Sequence, residues 1–323
     1  HQAYLIGSTA NVLEQQSQQR RFLSEDAPEE ENSTSQQNQD YGSVMGQYQL
    51  DFLASPFSNW QYKSQWLGSQ NLANRFSLSN WAGGQESTIN SENEEWSWNQ
   101  QLNYYTQINP NHLISIENQF LWRNSEGVNA WDLQYGLETV ADSSIIRLED
   151  SQQDIKTLQS ELHYYWVWNR KNHLDVSLSY QNRISSLNRN LEDFRIGMER
   201  SFSNFAAGIQ WKSRVESFLF LPGVSYFYLN DQRNSIRGEE NLEGNAQQFV
   251  LPNFRIKYDI NSVQGLNFVF QQQVRSPQSE WLTEAFQLRN YQNIVMGNAA
   301  LRPAFYNSLQ LNYHFFNLFN GMN

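Results

Sequence analysis

The chain has 323 residues, no cysteine and a formal net charge of −11. These values exclude disulfides and thiolate metal sites, and they argue against nucleic acid, which calls for a basic stripe. A mean hydropathy of −0.70, with no apolar run near 18 residues, excludes a membrane-spanning helix but not a barrel strand, which is half polar.

Residues 1–10 alternate weakly, with Tyr4 and Ile6 against Leu5 and Gly7. The chain does not begin with Met, and both of its ends read as cut from a longer polypeptide. Residues 11–44 are expected to be a long polar connection, whose segment 24–40 (SEDAPEEENSTSQQNQD) has the composition of a solvated loop. Tyr48, Leu50 and Phe52 then oppose Gln47, Gln49 and Asp51, the period-two pattern of a strand. A short connection, Pro56–Asn59, and a long one, 69–93, follow.

Trp98, Leu102, Tyr104 and Ile108 oppose Asn99, Gln101, Asn103 and Gln107, and a tight turn is expected at Asn109–Asn111. Ile114, Ile116, Phe120 and Trp122 oppose Ser115, Glu117 and Gln119, before a long connection at 124–154. Leu162, Tyr164, Trp166 and Trp168 share a face, with Glu161 and His163 on the other. Beyond the turn Arg170–Asn172, Leu174, Val176, Leu178 and Tyr180 oppose Asp175, Ser177, Ser179 and Gln181. A long connection at 187–200, a short one at Ser213–Ser217 and a long one at 230–246 come next. Phe254, Ile256, Tyr258 and Ile260 oppose Asn253, Arg255, Lys257 and Asp259, followed by the turn Asn261–Gln264. After a long connection at 277–304, Leu309, Leu311, Tyr313 and Phe315 oppose Ser308, Gln310, Asn312 and His314.

The pattern predicts about twelve strands of roughly 9–12 residues, the length a tilted strand needs to cross a bilayer. Short and long connections interleave, as in an up-and-down barrel with tight turns at one end and long loops at the other. A soluble sandwich has the same alternation but no reason to sort its loops by length. Burying Asn103, Gln107, Asp175, Arg255, Lys257 and Asp259 in one dry core would cost on the order of 1–3 kcal/mol for each unpaired group. The expected fold is therefore all-β, a transmembrane antiparallel up-and-down β-barrel, with lipid on the apolar face and water on the polar one. Aromatics gather near strand ends: Trp96, Trp98, Trp122, Tyr164 to Trp168, Trp211, Tyr226 to Tyr228, Phe315 and Phe316. Interfacial girdles explain this better than β-propensity alone. No helical block or linker interrupts the array, so residues 1–323 read as one domain.

Arg275-Ser-Pro277, a loop, then Gly297-Asn298-Ala-Ala-Leu301-Arg302-Pro303 and the strand Asn307-Ser-Leu-Gln-Leu-Asn-Tyr313 resemble the barrel of TonB-dependent receptors. The nearest variety is the Bacteroidetes-type outer-membrane β-barrel family, whose strand F-x-L-x-P-G-x-x-Y-x-Y is similar to Phe218–Tyr228. Ala299 and Ala304 depart from the family's usual Pro and Glu. The resemblance implies a barrel of 22 strands, of which this chain supplies about twelve, with no plug domain or TonB box inside it. It also implies residence in the outer membrane of a Gram-negative bacterium, among outer-membrane lipid and lipopolysaccharide. Active import of a bulky nutrient (metal chelate, glycan or peptide) would be driven by a TonB-type energising protein acting through the missing plug. A surface lipoprotein or another outer-membrane subunit is a further expected partner, and nucleic acid is not. A structural or interaction subunit of an outer-membrane assembly is the alternative, with a passive porin and a soluble β-protein behind it.

Enzyme chemistry is not expected. His173 and Asp175 share the polar face, but they follow the Arg170–Asn172 turn, where lumen hydrogen bonding is the simpler role. His112 also follows a short turn, and His163 and His314 read as isolated from carboxylates. The acidic clusters Glu25, Asp26, Glu29, Glu30, Glu31 and Glu239, Glu240, Glu243 match no calcium-loop spacing and read as solvated. The sequon Asn32-Ser-Thr34 reads as chance. Trp81, Trp131, Trp281 and Tyr291 are as suited to anchoring loops as to stacking on a ligand. No residue is assigned as catalytic, cofactor-binding or metal-ligating, and no cofactor is expected.

Overall fold

The computed structural model describes residues 2–21, 30–79, 85–135, 143–191, 194–235, 241–242, 246–282, 286–290, 293–298 and 300–315. Its strands are β1 (Gln2–Arg21), β2 (Glu30–Ser55), β3 (Ser58–Ser79), β4 (Gln85–Asn109), β5 (His112–Tyr135), β6 (Ser143–Asn169), β7 (Asn172–Leu191), β8 (Phe194–Val215) and β9 (Phe218–Ser235). After them come β10 (Asn241–Leu242), β11 (Gln247–Asn261), β12 (Gln264–Arg275), the short helix α1 (Ser279–Leu282), β13 (Phe286–Asn290), β14 (Asn293–Met296) and β15 (Ala304–Phe315). Twelve strands pair antiparallel in the order β1 to β9, β11, β12, β15, with β10 added on β9 and β13–β14 forming a separate hairpin. The fold is all-β and up-and-down, and the number of principal strands matches the expectation.

Register carries the apolar pattern from strand to strand. Directly opposed residues share a face of the sheet. Trp66, Trp98 and Trp122 are opposed in turn across β3, β4 and β5. Ile116, Leu162, Leu178 and Ala207 are opposed across β5 to β8. Ile256, Phe268 and Leu311 are opposed across β11, β12 and β15. On β6 the apolar face runs from Leu158 to Trp168, ten residues apart. That is about 33 Å along a strand, or roughly 25 Å of height at a tilt near 40°, the thickness of a lipid-facing band. Glycines make room for the indoles: Gly46 stands opposite Trp66 and Gly68 opposite Trp96, whose ring would lie 2.6 Å from a Cβ at Gly68.

These apolar side chains do not meet a second sheet. Phe52 is 64% exposed and Leu309 68%. The buried hydrophobics among the described residues are Trp131, Ile155, Leu187, Met198, Leu229, Leu251 and Leu282, too few for a sandwich core. Among the described residues β1 and β15 each have one sheet neighbour, so the described sheet has two unpaired edges.

Strand length is where the structure corrects the sequence reading. The principal strands run from 12 residues (β12, β15) to 27 (β6). The stretches read as connections at 11–44, 69–93, 124–154 and 187–200 are largely strand, and in 230–246 the described strand residues are 230–235 and 241–242. Residues 30–40 belong to β2, including the sequon at Asn32–Thr34, while 22–29 lie outside the described residues. Backbone pairing continues there although both faces are polar, so no apolar period announces it. The 277–304 connection does link β12 to β15, apart from Ala304, but it contains the helix α1 and the β13–β14 hairpin, neither of which the sequence announced.

All five expected short connections are two-residue turns, and four share one chemistry. The Ser55 Oγ accepts a hydrogen bond from the Phe57 N–H, Asn109 Oδ1 from Asn111, Asn169 Oδ1 from Lys171 and Asn172, and Asn261 Oδ1 from Val263. Such side-chain turns replace the missing ladder bond, and each coincides with a register shift just before it. The fifth turn, Glu216–Ser217, lacks a side-chain acceptor of this kind and places Glu216 at φ 49°. A non-glycine residue there carries strain. Glu216→Gly is therefore expected to stabilise the protein by about 0.5–1 kcal/mol, read as a higher urea midpoint of the lipid-embedded protein. An unchanged or lower midpoint would count against strain at this turn.

Candidate functional site

The face opposite the apolar band is a wall of amides. Gln49, Lys63, Gln101, Gln119, Gln159, Gln181 and Asn204 are opposed one after another across β2 to β8. Asn204 Nδ2 donates to Gln181 Oε1 at 2.9 Å, Gln119 Nε2 to Asn99 Oδ1 at 2.9 Å, and Gln65 Nε2 to Gln47 Oε1 at 2.6 Å. Side chains that both donate and accept suit water or a polar solute on this side.

Nearer the tight turns, His163 Nδ1 lies 3.2 Å from Asp175 Oδ1, and its Nε2 lies 3.7 Å from Glu161 Oε2. Glu161 directly opposes Glu117. The reading of His163 as isolated is thus corrected: Glu161, two residues earlier on the same face, and Asp175 on β7 flank it. Asp175 pairs with His163 rather than with His173, which opposes Lys212. His112 belongs to the other face, where its Nδ1 meets the Tyr164 hydroxyl at 2.6 Å and its ring stacks on Trp166. His314 lies over Gly265 on the polar face. Among the described residues no three His, Asp or Glu side chains are grouped to hold a metal ion. Trp131 is buried with its indole N–H unpartnered, and Trp281 is half-exposed. Trp81, Tyr291, Phe316, Glu25, Asp26, Glu29, Glu239, Glu240 and Glu243 lie outside the described residues, as do the side chains of Glu30 and Glu31.

The most strongly built polar cluster lies on the same face beyond the apolar band. Arg200 on β8 donates from Nε and Nη2 to the two Asp231 carboxylate oxygens of β9, at 2.6 and 2.8 Å. Arg233 donates to Asp231 Oδ2 from Nη2 at 2.7 Å and from Nε at 3.1 Å. Both arginines also donate to the β12–β15 connection. Arg200 Nη1 reaches the Pro277 carbonyl at 2.7 Å, its Nη2 reaches Ser276 Oγ at 2.6 Å, and Arg233 Nη2 reaches the Leu301 carbonyl at 3.3 Å. The two segments are also tied together: the Asn298 N–H donates to the Trp281 carbonyl at 2.7 Å. Ser279 Oγ sits 3.4 Å from Ser185 Oγ on β7, and Leu282 is 2% exposed. The motif pieces Ser276-Pro277 and Leu301 are therefore held by two arginines that share one carboxylate. Arg200, Asp231 and Arg233 were missed in the sequence because nothing local marks them.

The electrostatics follow from the geometry. Burial pushes the Asp231 carboxyl up, but the hydrogen bonds and charges of Arg200 and Arg233 outweigh it and hold the group below its ordinary value. Arg183 on β7 is lowered from its usual value by burial and by the nearby Arg200 and Arg123 guanidiniums. Arg123, Arg183 and Arg200 thus lie near one another on this face, with Glu95 beside Arg123 and Asp231 beside Arg200.

No protein-family model and no curated protein sequence matches the chain. Solved structures similar to it include the ferric yersiniabactin uptake receptor FyuA from Yersinia pestis, at 9% identity over 89% of this chain and 50% of that one, TM-score 0.48. The ferric-catecholate import receptor Fiu from Escherichia coli K12 is 10% identical over 99% of this chain and 56% of that one, TM-score 0.49. The outer membrane protease OmpT from Escherichia coli is 10% identical over 78% and 93%, TM-score 0.29. The chain spans about half the length of the two receptors. Such neighbours are outer-membrane β-barrel proteins, importers and a protease among them.

Replacing Asp231 leaves the buried Arg200 and the part-buried Arg233 guanidiniums without their shared carboxylate. Asp231→Asn should destabilise the protein by about 3 kcal/mol, measured by urea titration of tryptophan fluorescence in lipid. Because the folded carboxyl is depressed, its contribution is complete above the ordinary Asp value near 4 and fades as pH falls through the lower folded value. The stability gap between parent and Asp231→Asn should therefore hold at neutral pH and narrow only below about pH 4.

Proposed function

We propose that residues 1–323 are part of the wall of a Gram-negative outer-membrane importer: a partial transmembrane β-barrel domain through which a bulky nutrient, such as a metal chelate, glycan or peptide, is actively taken up. The observation that carries this reading is the apolar band kept in register across twelve strands, exposed on one face and backed by an amide wall on the other. Lipid accepts the first face, and only a watery lumen accepts the second.

Bulky cargo follows from width. Twelve strands still have two open edges, and unpaired backbone groups in lipid cost several kcal/mol each, so further strands close the ring. Porins of roughly 16–18 strands keep an open aqueous channel, whereas a barrel of about 22 strands, the size the family resemblance implies, has a plugged lumen, and a plug needs an energy source to move. A TonB-type partner acting through a plug domain outside residues 1–323 meets that need, and lipopolysaccharide meets the outward aromatic rows.

Two tests separate the parts of this reading. Leu178 and Ser179 are neighbours on opposite faces. Leu178→Arg should cost about 2–4 kcal/mol and block membrane assembly, whereas Ser179→Arg should assemble, both scored by heat-modifiable gel migration of outer-membrane fractions. Equal tolerance of the two would remove the lipid-facing band. Import is tested by growth on candidate metal chelates, glycans and peptides as sole source. Growth should require both this protein and the energising partner, and growth indifferent to the partner would remove active transport.

A further inference from the structure

We infer that Asp231 is a positioning residue for an inner strap, made of residues 276–282, 297–298 and 300–301, that restricts access to the amide wall from the end of the sheet opposite the tight turns. The inference rests on the importer reading only for what passes the strap, and not for the strap itself.

The strap is held at both of its ends by one charged group. Ser276 and Pro277 at its start are bonded by Arg200, Leu301 at its finish is bonded by Arg233, and Asp231 bridges the two arginines. The Asn298-to-Trp281 hydrogen bond clips the segments together above that base. The wall beneath is covered: Ser185, Leu187, Met198, Arg200, Leu229 and Asp231 are all buried, on three adjacent strands. Gln181 and Asn204 lie four residues below Ser185 and Arg200, about 13 Å along the strands at the usual rise. The strap is thus seated between that end of the sheet and the amide row.

The hold is conditional. The bonds from the two arginines to the described strap residues run from guanidinium N–H groups to carbonyl or hydroxyl oxygens, and among the described residues Asp231 bonds the arginines rather than the strap. Its work is to aim two like charges that would otherwise repel at this spacing. Removing its charge while keeping its shape releases both ends of the strap together.

The chain has no cysteine, so one introduced thiol reports access without background. Asn204→Cys is labelled with a bulky, membrane-impermeant maleimide added outside intact cells that display the protein. With Asp231 present, labelling is expected to be slow. Asp231→Asn should speed it roughly tenfold or more, the size of losing a charge-assisted hydrogen bond, and Asp231→Glu should restore slow labelling. Ser276→Ala removes one strap bond, leaves the Arg200–Asp231 pair intact and should speed labelling by a smaller factor. If Asp231→Asn fails to reach the surface, Ser276→Ala decides. Labelling as slow in the displayed variants as in the parent overturns the strap, as does Asp231→Glu labelling as fast as Asp231→Asn. Failure of import leaves these rates unaffected, so the two readings fail separately.

Discussion

A backbone in hydrocarbon finds no water to bond, so every strand must be paired along the whole depth of the lipid. This constraint organises the molecule. It makes hairpin after hairpin the economical topology, and it lets one face be greasy without a core behind it. Leu178 and Ser179 belong to one uninterrupted ladder, yet they meet opposite solvents. A slip of one residue at any hairpin would exchange the two faces, and the ladder would then set glutamines against lipid. The registers of Trp66 on Trp98 on Trp122, and of Ile256 on Phe268 on Leu311, show that no such slip occurs.

The tight turns guard that register. Asn109, Asn169, Asn261 and Ser55 each close a turn with a side-chain oxygen, and a register shift accompanies each. At the other end, the strands run well past the apolar band. There the pairing is held by backbone bonds and by polar cross-strand contacts, such as Asn74 Nδ2 to Asn90 Oδ1 at 2.8 Å and Gln152 Nε2 to Glu126 Oε1 at 3.0 Å. Such pairs add tenths of a kcal/mol to about one each, enough to align strands that the ladder already joins.

The charged cluster of Arg200, Asp231 and Arg233 obeys a different logic. A buried ion group gains little over a well-packed apolar one, but breaking it is costly. Its value here is positional: bidentate guanidinium geometry fixes where the β12–β15 connection sits against β7, β8 and β9. The His163–Asp175 pair lies within the band region, close to the short turns, and is built from part-buried side chains. The difference in burial between the two clusters marks which one holds chain segments together.

Twelve strands, five tight turns and the split between a greasy and a wet face were legible from residue alternation, because period two and turn chemistry are local properties. Residues 30–40 escaped, since EENSTSQQNQD has no apolar period and its place in β2 depends on β1 and β3 beside it. His163 escaped in part, because Glu161 lay in view two residues away whereas Asp175 comes near only through the β6–β7 register. Arg275-Ser-Pro277 and Gly297 to Pro303 stood out as a motif, but their anchor did not. Local alternation determined which side of each strand meets lipid. Only the tertiary structure decided how far the ladders run and which distant arginines hold the strap, because pairing partners and buried charges are brought together by the sheet and leave no mark at their own positions.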